Sequence, residues 1–134
     1  MARLIRLARS PLPLPFGALT ARRSLLSLDN LADAVDRVLK VEGPLRRPLI
    51  TAEPQPLTVG EMVAAMRRGL GRRPGLIPVP ARMLAAFMRA SGRADAYERL
   101  AAPLVADPSA LLRLGWLPPV ATADGLERLM RSAP

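Results

Sequence analysis

The sequence predicts one helix-rich α/β domain over residues 1–134, with about six helices and three or four strands of about five residues each. Three observations predict it. Apolar residues recur at helical spacing in stretches bounded by capping residues and glycines. Between these stretches lie short apolar runs fenced by prolines, which suit brief strands. Finally, 134 residues make one domain's worth of polypeptide, and no repeat or linker divides them.

Residues 2–10 set Leu4, Ile5, Leu7 and Ala8 on one helical face and Arg3, Arg6 and Arg9 towards the other. Pro11, Pro13 and Pro15 then hold residues 12–17 extended, with too few amide donors for anything but a sheet edge. Ser24–Leu28 reads as a short strand. Asp29 is the expected N-cap of a helix over Asn30–Val41 that carries Leu31, Ala34, Val35, Val38 and Leu39. Pro48–Ala52 reads as a second short buried strand.

Thr58-Val59-Gly60-Glu61 is a capping box, in which hydroxyl and carboxylate satisfy orphan amides reciprocally. The helix it opens should bury Val59, Met62, Val63, Met66 and Leu70 and stop at Gly71. Leu76–Pro80 is extended, and Pro80 suits the first turn of a helix reaching about Ala90, which Ser91-Gly92 ends. A helix over Ala94–Ala101, an extended piece at Leu104–Ala106 and a short helix opened by Asp107-Pro108-Ser109 and stopped at Gly115 follow. Trp116 is expected in the core against a final helix, which Thr122 caps and which carries Leu126, Leu129 and Met130. These strands are too few and too short to complete a sheet with both faces covered, so a part of the fold is expected elsewhere.

Composition excludes several chemistries. There is no cysteine and no histidine, which leaves no disulfide framework, no thiolate or imidazole metal site and no Ser-His or Cys-His couple within these residues. Half of the residues are hydrophobic, but only Phe16, Phe87, Tyr97 and Trp116 are aromatic, so the core is aliphatic. The net charge is +9, and nineteen of the twenty basic residues are arginine, with Lys40 the exception. Such an excess marks nucleic-acid or anionic-membrane binding in some proteins. Here the arginines come as scattered pairs without the interleaved aromatics of a stacking platform, so nucleic acid is not the expected partner. The basic, acid-free start resembles a targeting segment, but prolines at 11, 13 and 15 interrupt any signal-type apolar run. No run approaches the ~20 apolar residues of a membrane span, so the expectation is a cytoplasmic protein without a membrane partner.

Several pieces occur together in a telling order: Pro13-Leu14-Pro15-Phe16-Gly17, the run Arg23-Ser24-Leu25-Leu26-Ser27-Leu28-Asp29-Asn30, Ala106-Asp107-Pro108-Ser109 and Leu114-Gly115-Trp116. The chain then closes with Pro118-Pro119 and Gly125-Leu126. From about Leu4 to Met130 it resembles the C-terminal, substrate-binding part of the NAD-dependent epimerase/dehydratases, the extended short-chain dehydrogenase/reductases of the UDP-glucose 4-epimerase type. The resemblance implies a small domain that closes a nucleotide-sugar against a separate Rossmann domain, which supplies NAD. It implies that backbone groups near Leu14 and Phe16 face the uracil edge, and that Arg23 and Arg99 hold the diphosphate. A guanidinium fork matches diphosphate oxygens bidentately, where lysine offers a point charge. Taken without the resemblance, Arg23 is also readable as a solvated residue at a strand start, Arg99 as a surface helix residue and Phe16 as core.

The family's redox machinery has no counterpart in these residues. Tyr97 is followed at the fourth position by Ala101 rather than by lysine, and Lys40 follows Asp36 at that spacing. No glycine cluster follows a predicted strand at the spacing of a dinucleotide turn. The expectation is therefore a UDP-sugar-binding part that does no chemistry alone and takes its Rossmann domain in cis or in trans. The alternative is an arginine-rich helical interaction or nucleic-acid-binding module. In the resembled family the helix over Asn30–Val41 and the piece near Leu49 pack towards the cofactor domain. Left bare, that apolar surface should drive self-association into a homo-oligomer.

Overall fold

The computed structural model describes residues 2–45 and 47–132. In chain order the elements are α1 (Ala2–Arg9), β1 (Arg22–Arg23), α2 (Leu28–Leu39), β2 (Leu57–Thr58), α3 (Val59–Gly69), α4 (Ala81–Ala90), α5 (Ala94–Ala101), α6 (Ser109–Arg113) and α7 (Thr122–Ser132). The fold is α/β and richer in helix than the sequence suggests, with seven helices among the described residues. Its sheet is only an antiparallel pair, Arg22 opposite Thr58 and Arg23 opposite Leu57. Two isolated parallel bridges, Leu14 to Leu76 and Arg23 to Leu104, extend it at single residues.

The expected strands at Ser24–Leu28 and Pro48–Ala52 do not form. Residues 24–27 run extended but offer single bonds to two different neighbours: Ser24 N–H donates to Leu104 C=O, and Leu25 C=O accepts from Glu53 N–H. Without a continuous partner on either side, an apolar run stays a loop.

The centre is α3, in which every residue from Val59 to Arg67 except the capping Glu61 is buried. Its capping box forms as the sequence predicts: Thr58 Oγ1 accepts from Glu61 N–H at 3.2 Å, and Glu61 Oε2 accepts from Thr58 N–H at 2.7 Å. One face packs Met62, Ala65 and Met66 with Ala8 of α1 and Leu126 and Met130 of α7. The other packs Val59 and Val63 with Leu14, Phe16, Leu19 and Leu84 of α4. A helix apolar on two sides must lie between two layers. Its most extensive contact is with α7. Gly69 permits this approach, since a Cβ there would collide with the Glu127 carbonyl and come within 2.9 Å of its Cα. Gly69→Ala should gain about 1 kcal/mol of helix propensity and lose about 3 to overpacking. The expected net loss of about 2 kcal/mol is measurable by urea unfolding.

A third cluster joins Ala34 of α2, Leu111 of α6 and Trp116. Trp116 is thus core, but against α2 and α6 instead of the final helix. Its indole Nε1–H donates to Asp33 Oδ2 at 3.0 Å, so the ring is oriented by α2. Two expected caps also differ. Ser27, not Asp29, caps α2, its hydroxyl accepting from Asn30 N–H at 3.3 Å. Thr122 opens α7 but donates its hydroxyl to Gln55 C=O at 3.2 Å. Asp107 does serve the start of α6: its carboxylate accepts from the Ser109 amide at 2.9 Å and from its hydroxyl at 3.0 Å. The amide bond, then the hydroxyl bond, hold this carboxyl below the ordinary aspartate range.

Candidate functional site

Four residues are nominated by sequence, and their surroundings converge on the start of α3 and the end of α5. Leu14 and Phe16 are buried in the α3–α4 cluster, which Tyr97 and Leu100 of α5 also border. The Phe16 carbonyl lies so close to α3 that a Cβ at Gly60 would stand 2.9 Å from it. Arg23 pairs with Leu57, two residues before α3, and its Nη2 donates to Ala102 C=O at 3.0 Å, just past the end of α5. Arg99 sits three residues before that carbonyl, exposed on α5.

The backbone around Leu14 differs from a free edge. Leu14 N–H donates to Gly75 C=O at 3.0 Å and its carbonyl accepts from Ile77 N–H at 2.9 Å, so both groups are consumed. Gly17 N–H donates to Ile77 C=O at 3.1 Å. Pro15 has no N–H. What remains is the Phe16 N–H, the amide of residues 14–17 without an acceptor among the described residues. The prolines spare one donor, and the turn at residues 15–18 sets it apart from the ladder.

The Arg23 guanidinium is only partly engaged. One nitrogen serves Ala102, while the buried Nε has no acceptor among the described residues. Its neighbour Arg22 donates from Nη1 to Pro56 C=O at 2.9 Å and stands 4.0 Å from Glu61. Arg99 makes no ion pair among the described residues.

One organising residue escaped the sequence reading. Arg67, on α3, is buried at 3% exposure with no carboxylate beside it. Its Nη2 donates to Leu12 C=O at 2.7 Å and Ser10 C=O at 3.0 Å, and its Nη1 to Pro74 C=O at 2.8 Å and Gly75 C=O at 3.1 Å. The guanidinium thereby ties residues 10–12 to residues 74–75, the base of the Leu14–Leu76 ladder. Gly75 accommodates it through a positive φ of 55° and the lack of a Cβ, which would collide with Nη1. The signal was present: 59, 62, 63, 66, 67 and 70 form one apolar helical stripe, and Arg67 occupies a slot in it. Taken only as half of an arginine pair, it was given no structural role.

Two small hollows, of about 200 and about 150 Å³, lie elsewhere and are lined by none of these residues. No helix among the described residues is long and apolar enough to cross a membrane.

No family model and no solved structure matches the chain. Comparison with curated proteins gives the class: the chain contains a region related to sugar-nucleotide epimerases. Over 129 residues it is 30% identical to the UDP-glucose 4-epimerase of Vibrio cholerae, a stretch that covers 95% of this chain and 39% of that protein. The chain therefore spans about two fifths of the relative it matches.

Proposed function

We propose that this chain is the nucleotide-sugar-binding, C-terminal part of an NAD-dependent epimerase/dehydratase, and that it does no chemistry on its own. The observation that carries the reading is the 129-residue similarity to a UDP-glucose 4-epimerase. The local geometry supports it. The Phe16 N–H is the donor left for a pyrimidine edge, with Leu14 fixing the backbone behind it. Arg23 keeps an unused part of its fork, and Arg99 is one helical turn from the carbonyl that holds Arg23. Both arginines are offered to a diphosphate.

NAD does not fit the residues present. The passage from β1 to α2 contains no glycine, and that from β2 to α3 offers only Gly60, so no dinucleotide turn is built. A Tyr-x-x-x-Lys pair is likewise missing from these residues. The cofactor domain would instead meet the outer stripe of α2, where Leu28, Leu31, Val35 and Leu39 are exposed at helical spacing. Uncovered, the same stripe favours homo-oligomers.

Thermal unfolding of the full chain at moderate salt tests the reading. UDP should raise the midpoint, whereas ADP at the same concentration should not. Arg23→Ala should weaken the UDP effect about tenfold, the worth of one charged hydrogen bond. A midpoint indifferent to UDP would end the proposal.

A further inference from the structure

We propose that the outer face of α4 docks on an anionic lipid surface. This helix is apolar on two sides. Leu84 and Ala85 are buried inward, whereas Met83 and Phe87, one turn apart, are 59% and 72% exposed. A helix with apolar residues on both faces needs a second apolar environment.

Charge selects its kind. Between Glu61 and Asp95 no acidic residue occurs, while arginine recurs seven times. Arg82 and Arg89 share the exposed arc of α4 with this pair, on the other side of Ala86 and Ala90, and Arg93 lies just past the helix. All three are exposed and make no ion pair among the described residues. A second copy of this chain would oppose arginine to arginine. A nucleic acid would use the arginines, but a lone Phe87 beside a methionine is not a stacking platform. A bilayer with anionic headgroups satisfies both features: Phe87 and Met83 enter the headgroup boundary while the arginines extend to the phosphates. The outer stripe of α2 offers a contrast, since Asp29 and the Lys40-paired Asp36 border it and make it less suited to an anionic surface. The expectation of no membrane partner rested on the lack of a spanning segment, which surface docking does not require.

Co-sedimentation of the full chain with vesicles tests this independently of UDP binding. Equimolar phosphatidylglycerol and phosphatidylcholine vesicles should capture the protein, phosphatidylcholine vesicles should not, and added salt should release it. Phe87→Ser should weaken capture about tenfold. Removing each of Arg82 and Arg89 as glutamine should cost about fivefold more. Because these side chains are exposed, thermal midpoints should stay unchanged, which separates loss of docking from loss of fold. Equal capture by neutral vesicles, no capture at all, or capture indifferent to Phe87→Ser overturns the proposal. So does a preference for duplex DNA over the anionic vesicles.

Discussion

Arg67→Met is expected to lower the unfolding free energy by about 4 kcal/mol, read as a reduced urea midpoint with an unchanged slope. Methionine replaces the aliphatic stem well, so little cavity cost enters. The loss comes from the carbonyls of Ser10, Leu12 and Pro74, which would lose this donor together, while Gly75 C=O would keep only the Leu14 N–H. The cation is held without a carboxylate, by aligned carbonyl dipoles just past the negative end of α1. Arg67→Lys keeps charge but not the fork, and should recover less than half of the loss. A cost below about 1 kcal/mol for Arg67→Met would show that water replaces the guanidinium freely. The change should also loosen the Leu14–Leu76 ladder, and with it the position of the Phe16 amide.

Asn30→Ala should cost about 3 kcal/mol, or roughly 10 °C in thermal midpoint for a chain of this size. Asn30 is fully buried, and its amide donates to Glu53 Oε1 and to Val120 C=O at 2.8 Å while accepting from Val120 N–H at 3.1 Å. The same Glu53 oxygen accepts from Ser27 N–H at 2.9 Å. One side chain thus joins the start of α2, the extended piece at residue 53 and the approach to α7. Alanine would leave both backbone groups of Val120 unpaired and remove a donor from a buried carboxylate. Asn30→Asp should be worse at neutral pH, since two carboxylates would then share one dry node. Differential scanning calorimetry of both variants checks the order.

The parts of the fold that were legible are those governed by local rules. The capping box at Thr58, the Ala94–Ala101 helix and the extended stretch at Leu76 depend on residues a few positions apart, and all three appear. What failed depends on partners far along the chain. Ser24–Leu28 has the composition of a strand, but nothing continuous lies beside it. Trp116 was expected against α7; it packs instead with Ala34 of α2 and Leu111 of α6, and Asp33, 83 positions away, holds its indole. Of the candidate site, Phe16 and Arg23 both lie by the start of α3, while the consumed amide of Leu14 could not be foreseen without knowing that residues 75–77 come alongside.

The chain's single tryptophan belongs to the smallest of the three apolar clusters, away from the two that share α3. Its fluorescence therefore follows the release of α2 from α6, whereas far-ultraviolet dichroism sums over all the helices, most of which lie outside that cluster. Superimposable melting curves from the two signals would mean that Asn30 and its buried bonds fasten the small cluster to the rest, and curves that part would mark it as a separate cooperative unit.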